Sequence, residues 1–229
     1  MVSPIDLAPL WLSLKVALAA TALAVPLGVA AAWWLAHGRP FRGKVLFETL
    51  FTLPLVLPPT VVGYYLLLLL GHGTSFGVWL NERAHIQLLF TWQGAAVAAC
   101  VMSLPLFIKT AAAAFAAVEW DLVEAGRTLG ADEFTLLVHV IAPLSYRGVL
   151  AGLALAFARA LGEFGATLMV AGSIPGRTQT LPLALYDAVQ AGSDRTALFY
   201  TLLLTATAFI LLGSVAAYQT RIAADRGDR

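Results

Sequence analysis

Residues 91–148 decide the fold, and they read TWQGAAVAACVMSLPLFIKTAAAAFAA (91–117) followed by VEWDLVEAGRTLGADEFTLLVHVIAPLSYRG (118–148). The first part is apolar and longer than the roughly 20 residues that a helix needs to cross a bilayer. The second part is a connection of about thirty residues, rich in charge, and connections of that length in a compact protein are usually functional. The pair predicts a membrane helix that leads directly into a functional loop.

The composition of the whole chain places the rest of the sequence in the same class. Of 229 residues, 60% are hydrophobic and 12% are charged, whereas soluble domains carry about 25% charged residues. The chain cannot cover a soluble surface, so we expect one transmembrane domain over residues 1–229. The net charge of +1 and the lack of a basic, aromatic-interleaved face exclude nucleic acid as a partner.

Five apolar stretches are long enough to span a bilayer. They are Leu10–Ala36, Val45–Leu70, Thr91–Ala117, Val149–Val170 and Ala197–Tyr218. Backbone groups inside the bilayer must be hydrogen-bonded internally, and the alternating ten-residue strands of a barrel are not visible, so the spans must be helices. The predicted fold class is an all-α polytopic membrane protein with five transmembrane helices.

Lysine and arginine are distributed unequally between the connecting segments, and cytoplasmic loops carry the excess. With the N-terminus outside, the inner segments hold Arg39, Arg42, Lys44, Arg127, Arg147, Arg221, Arg226 and Arg229. The outer loops hold Arg83, Arg177 and Arg195. We therefore expect the N-terminus outside, and the C-terminus and loop 118–148 in the cytoplasm. Lys15 and Lys109 are interpreted as anchors near opposite membrane faces.

Loop 118–148 is predicted to form two short helices joined by a glycine turn. Gly130 tolerates the positive φ of such a turn. Asp132 is the expected N-cap of a helix over Glu133–Ile141, which Pro143 closes. Three aliphatic residues can share an apolar side of the first helix: Leu122, Val123 and Leu129. The result would be a small amphipathic projection at the membrane surface, of a shape that a partner can grip.

The same loop resembles the EAA signature of ABC importer permeases, which is Glu-Ala-Ala, three residues, Gly, nine residues, Ile, one residue, Leu-Pro. The pattern falls on Glu124-Ala125-Gly126, Gly130, Val140 and Ala142-Pro143, with Gly126, Val140 and Ala142 as departures. The resemblance implies the type I ABC importer permease fold. It also implies that Glu124, Ala125, Gly126, Gly130 and Pro143 couple the chain to a cytoplasmic ATPase.

Two further stretches are similar to molybdate permeases: PLVLPPTVVGYYLLLLLG (54–71) and ARALGEFGATLMVAGSIPGRTQTLPLALY (158–186). The resemblance implies the transmembrane subunit of an ATP-driven molybdate importer in the bacterial cytoplasmic membrane. It further implies a second permease copy, two ATPase subunits and an external molybdate-binding protein. Sulfate permeases are similar in the GEFG and IPG regions, and tungstate is nearly identical to molybdate in size and charge. Sulfate and tungstate therefore stay open as substrates.

Pro58-Pro59-Thr60 lies near the middle of the second predicted span. Prolines there remove backbone donors and clash with the preceding turn, so we expect a kinked or broken helix. A break would expose a helix N-terminus, which suits anions, and Thr60 could meet a passing oxyanion there. The alternative is a packing kink without contact to the substrate.

Arg159 and Glu163 lie four residues apart in the fourth predicted span, hence on one helical face. Charges inside a bilayer are costly, so the two should face the protein interior and pair with each other or with a second copy. They are candidates for the translocation path, or for an ion pair that closes a gate. Gly162 and Gly165 would allow close helix packing, and Thr167 could offer a hydroxyl to the path.

Other functional classes are less consistent with the sequence. Gly38–Lys44 matches the start of a phosphate-binding loop, but Val45 stands where a Ser or Thr would hold magnesium, so the chain is not expected to hydrolyse ATP itself. Ser103 and Ser173 have no credible histidine partner, and no H-E-x-x-H motif is present. One cysteine and four scattered histidines predict no metal site or cofactor. An ATP-independent secondary anion carrier stays open on composition alone.

Overall fold

The computed structural model describes residues 6–37 and 43–227, and every regular element in these ranges is helical. The helices are α1 (Ala8–His37), α2 (Lys44–Val56), α3 (Pro59–Leu70), α4 (Ser75–Val78), α5 (Trp92–Ala116), α6 (Trp120–Thr128), α7 (Glu133–Leu136), α8 (Ala142–Leu161), α9 (Gly165–Ala171), α10 (Leu181–Gln190) and α11 (Asp194–Gly227). A π-helical turn at Trp79–Arg83 extends α4, and another at Leu137–Ile141 joins α7 to α8. Arg39, Arg42, Arg229 and most of the Gly38–Lys44 turn lie outside the described residues.

Helix α5 forms the centre of the molecule, between α1 and α8. Five of its thirteen buried residues are alanines, and the rings of Phe107 and Phe115 are also buried. Small residues on the neighbouring helices let the backbones approach, as is usual between membrane helices. A Cβ atom at Gly28 of α1 would clash with the Phe107 ring, and one at Gly152 of α8 would clash with the hydroxyl of Thr110. The three-helix core therefore depends on close crossings that only glycine permits.

Four continuous helical segments are long and apolar enough to cross a bilayer. They are Ala8–Ala36, Trp92–Ala116, Glu133–Leu161 and Asp194–Ala217, and the bent pair α2–α3 would make a fifth span. Only 6% of the most apolar stretch of α11 is buried inside the molecule. An all-α polytopic membrane fold is therefore confirmed.

The fourth span differs from the predicted Val149–Val170. The helix begins at Glu133, continues through the π-helical turn into α8 and ends at Leu161. The prediction that Pro143 closes a helix at Ile141 is wrong. The N–H of Ala142 bonds the carbonyl of Leu137, five residues back, and this wider turn admits the ring of Pro143 without ending the helix.

Candidate functional site

The second predicted span is broken at Leu57-Pro58, which confirms the expected effect of the two prolines. Helices α2 and α3 are bent by 113° at this point. Leu57 and Pro58 both have extended ψ angles, as a residue before proline prefers. The carbonyl of Pro58 then accepts hydrogen bonds from Val61 and Val62 and starts α3. Thr60 is exposed, and within the described residues neither its N–H nor its hydroxyl is hydrogen-bonded.

A second break, which the sequence did not predict, separates α8 from α9 at Gly162–Phe164. Glu163 lies in this break and is 2% exposed. Its Oε1 atom accepts a hydrogen bond from the N–H of Ala166 at 2.9 Å, in the first turn of α9. Its Oε2 atom lies 2.6 Å from Nη1 of Arg159. The carboxylate therefore caps one helix and neutralises an arginine on another, which explains how a buried acid is tolerated.

The two breaks meet at Gly165, the first residue of α9. A Cβ atom there would lie 3.0 Å from Cβ of Pro59 and 3.2 Å from the backbone nitrogen of Thr60. One α-turn further along α3, a Cβ atom at Gly63 would lie 2.7 Å from Cα of Ala166. Gly165 is thus a packing residue, as predicted, and Gly63 is a second one that the sequence analysis did not identify. Gly162 is not, because the nearest atom to its Cβ position is the carbonyl oxygen of Ala158 in its own helix, at 3.8 Å.

The structure thus brings together most of the residues predicted for a translocation path. Pro59, Thr60, Gly165 and the Arg159–Glu163 pair form one cluster between α3, α8 and α9. The N-terminus of α3 contributes a partial positive charge of about half a unit. The charge of Glu163 is balanced by Arg159, whose side chain is 30% exposed and can reach solvent. Thr167 is buried on α9, and its hydroxyl has no partner among the described residues.

The loop between α5 and α8 forms the predicted helical hairpin, which we define as α6 and α7 (Trp120–Leu136). Gly130 has a φ of +86°, and Ala131 and Gly130 donate to the carbonyls of Gly126 and Arg127. This is the hydrogen-bond pattern of a Schellman C-cap. Asp132 accepts from the N–H of Thr135 at 2.7 Å and caps α7, as predicted.

Ion pairs and close packing fix the two arms of the hairpin to each other. Arg127 lies 2.9 Å from Glu124 and 3.0 Å from Glu133, and these hydrogen bonds, that of Glu133 first, raise the pKa of the guanidinium. A Cβ atom at Gly126 would clash with the fully buried side chain of Leu136. Gly126, which stands where the EAA signature has its second alanine, therefore lies at the point where α6 crosses α7. The pKa of Asp132 is lowered by its hydrogen bonds to Thr135.

The apolar residues of the hairpin do not share one buried side. Val123 is fully buried, but Leu122 and Leu129 are exposed, so the predicted grouping of the three is wrong. Leu129 is 88% exposed and Phe134 is 73% exposed. Large exposed apolar side chains on a projection mark an interaction surface. Ala125 and Pro143 are also exposed.

On the opposite side of the molecule, the segment 172–190 is an ordered cap. The hydroxyl of Thr178 donates to the carbonyl of Gly172 and accepts from the N–H of Ile174. Ser173 and Gln179 both donate to the carboxylate of Asp187. The segment ends in the short helix α10, and the Ser13 hydroxyl of α1 accepts a hydrogen bond from its first N–H, that of Leu181.

Comparison with known proteins identifies relatives of this chain along nearly its whole length. Residues 24–224 match the family described as binding-protein-dependent transport system inner membrane component. The molybdenum transport system permease protein ModB of Escherichia coli K12 is 40% identical over 219 residues, 95% of each chain. The protein of that name from Mycobacterium tuberculosis is 40% identical over 213 residues, 92% of this chain and 79% of the relative.

Solved structures show the same fold. The inward-facing MetNI methionine ABC transporter matches with a TM-score of 0.72 at 15% identity, covering 95% of this chain and 97% of that one. An amino acid ABC transporter matches with a TM-score of 0.64 at 17% identity, over 96% and 94% of the chains. The helices, their breaks and the projecting hairpin are thus arranged on the fold of ABC importer permeases. The chain belongs to the family of inner membrane components of binding-protein-dependent transport systems.

Proposed function

We propose that this chain is the transmembrane subunit of an ATP-driven importer that carries molybdate across the bacterial cytoplasmic membrane. The observation that carries the proposal is the 40% identity, over 95% of both chains, with a permease named for molybdenum transport. The chain itself is a transport subunit and not an enzyme. ATP hydrolysis comes from two cytoplasmic ATPase subunits, and the substrate comes from an external molybdate-binding protein.

The α6–α7 hairpin is the part of the chain that couples to the ATPase. Leu129 and Phe134 offer exposed apolar surface, and Arg127 locks the two arms to each other. Glu124 takes part in this lock, and Gly130 provides the left-handed turn that presents Leu129. A rigid projection transmits the movement of its partner, whereas a flexible loop would absorb it. A secondary carrier without an ATPase would have no use for such a projection.

The cluster around the two helix breaks is where the anion passes. The N-terminus of α3 after Pro58-Pro59 offers the free N–H of Thr60 to an oxyanion. Arg159 supplies a full positive charge, while Glu163 stays fixed by its cap to α9. The cation is therefore mobile and its counter-ion is not. An oxyanion that attracts Arg159 must replace the carboxylate of Glu163 as its partner, so binding stays weak enough for release.

A second copy of the chain completes the path. One chain offers few spans to enclose an aqueous route, and two copies double the number. The apolar faces of α2, α3 and α11 are extensively exposed, and exposed apolar surface on membrane helices must be covered by lipid or by protein. A homodimer in which α3 of each copy faces a common axis accounts for part of this exposure.

The test is ATP hydrolysis by the chain reconstituted in lipid with its neighbouring ATPase and binding protein. Molybdate should stimulate hydrolysis, and excess sulfate should neither reproduce nor block the stimulation. Stimulation by sulfate would keep the coupling mechanism and change the substrate, whereas tungstate is expected to act like molybdate. No association with an ATPase would refute the role of the hairpin and favour a secondary carrier.

A further inference from the structure

A cavity of about 560 Å³ separates the end of α1 and the start of α2 from the second half of α5. Most of its wall is apolar and includes Leu35, Val45, Phe51, Pro105 and Ile108. The cavity lies on the hairpin side of the molecule, because α5 continues directly into α6. It is separate from the cluster around the helix breaks and has no part in the mechanism proposed above.

Two opposite charges line this apolar cavity without pairing. Glu48 of α2 and Lys109 of α5 both contribute to its wall, and within residues 6–37 and 43–227 neither forms an ion pair. The neighbouring Lys44 is already engaged, because its Nζ donates to the carbonyl of Leu35 at 2.8 Å. The cavity thus presents one unpaired acid and one unpaired base above an apolar floor.

Both charges lie close to the ends of their helices on the hairpin side of the molecule. Glu48 lies four residues after the start of α2, about 6 Å along the helix, and Lys109 lies seven residues before the end of α5, about 10 Å along it. Basic pockets between transmembrane helices on the cytoplasmic side bind the headgroups of anionic phospholipids, and an acid in the same pocket changes which headgroup fits. The cavity is many times larger than a water molecule, which occupies about 30 Å³ in the liquid, so a single small oxyanion would leave most of it empty. The carboxylate of Glu48 would also repel an anion.

We propose that this cavity binds one zwitterionic phospholipid with a primary ammonium headgroup, that is, a phosphatidylethanolamine. Lys109 contacts the phosphate, Glu48 accepts hydrogen bonds from the ammonium group, and an acyl chain covers the apolar wall. Thr49 and Thr52 also line the cavity, and their hydroxyls already donate to carbonyls of α2, which leaves them as acceptors for the same ammonium group. The two charges act together, since Lys109 alone would contact the phosphate of any phospholipid and Glu48 supplies the preference for the ammonium group.

The test is native mass spectrometry of the full-length, delipidated chain, titrated with phosphatidylethanolamine, phosphatidylglycerol and phosphatidylcholine of identical acyl chains. The ethanolamine lipid should bind about tenfold more tightly than the other two, because a hydrogen bond to a charged group contributes at least that factor. Glu48→Gln should abolish this preference. Lys109→Gln should weaken all three lipids about tenfold, since all three carry the phosphate.

Matched controls come from the opposite side of the molecule, where Glu82 and Arg83 line another cavity. Glu82→Gln and Arg83→Gln should leave the lipid preference unchanged. Glu48→Asp and Lys109→Arg keep the charges and should retain it, which separates recognition from misfolding. Equal binding of the three lipids by the native chain would overturn the proposal, as would unchanged binding in Glu48→Gln. If the Glu48 and Lys109 variants lose dimerisation and not lipid binding, a second copy of the chain is the occupant of the cavity. This result would equally overturn the proposal.

Discussion

The Arg159–Glu163 pair allows a quantitative prediction, because its two members differ in exposure. The Glu163 side chain is 1% exposed and that of Arg159 is 30% exposed. Arg159→Gln leaves a carboxylate buried without a cation, and breaking a buried pair in this way costs about 3 kcal/mol or more. Glu163→Gln leaves an arginine that can turn to solvent, and glutamine can still accept from the N–H of Ala166. We expect this second change to cost only about 1 kcal/mol.

The double variant Arg159→Gln/Glu163→Gln separates pairing from general disruption. Additivity would predict a loss of about 4 kcal/mol, but removing both charges leaves none uncompensated, so we expect about 1 kcal/mol. The free energy of unfolding can be measured by titrating SDS into mixed micelles and following far-UV circular dichroism. A double variant as unstable as the sum of the single variants would refute the coupling. Equal losses in the two single variants would refute the argument from exposure.

Three further predictions concern packing, the turn and the partner surface. Gly165→Val should cost about 1–3 kcal/mol in the same unfolding experiment and impair transport, because its side chain would push Pro59 away. Gly130→Ala should increase hydrogen exchange in the hairpin, since its φ of +86° costs about 1–2 kcal/mol for alanine; Gly73→Ala, where nothing lies within 4 Å, is the matched control. Phe134→Asp should reduce co-purification of the ATPase at least tenfold, with stability changed by no more than about 0.5 kcal/mol, and unchanged co-purification would contradict the assigned surface.

Much of the fold follows from the sequence because bilayer thickness imposes a length on every span. The break at Pro58-Pro59 follows from the missing N–H groups of proline, and the hairpin turn follows from Gly130. The break at Gly162–Phe164 could not be predicted in this way, since nothing in those residues forbids a helix. It exists because Glu163 satisfies the N–H of Ala166 and the charge of Arg159 together, and that arrangement is visible only in three dimensions.

The exposed faces show a second limit of sequence patterns. The sequence predicts that Leu122, Val123 and Leu129 share one apolar side, because all three are aliphatic and lie close together along the chain. A residue that packs against a partner is of the same apolar type as one that packs against its own chain, so the periodicity of the sequence cannot separate the two. Burial separates them here, since Val123 is buried and Leu129 is exposed. The hydrogen bonds from Ser173 and Gln179 to Asp187 could not be predicted from sequence patterns either, because each connects a loop to a helix.

The position of α8 links the hairpin mechanically to the cluster at the helix breaks. Helix α7, the π-helical turn and α8 form one continuous helical segment from Glu133 to Leu161. It lies closest to α5 at Gly148 and Gly152, where a side chain would clash with Ala114 and with Thr110, and we take Gly152 as the pivot. Leu136, against which α6 packs, lies about 24 Å from the pivot, and Arg159 lies about 10 Å beyond it. A tilt imposed at the hairpin therefore moves Arg159 in the opposite direction by a little under half as much. A movement of 2–3 Å at Arg159 would part it from Glu163, because Glu163 is held by α9, and would require only about 5–7 Å at the hairpin.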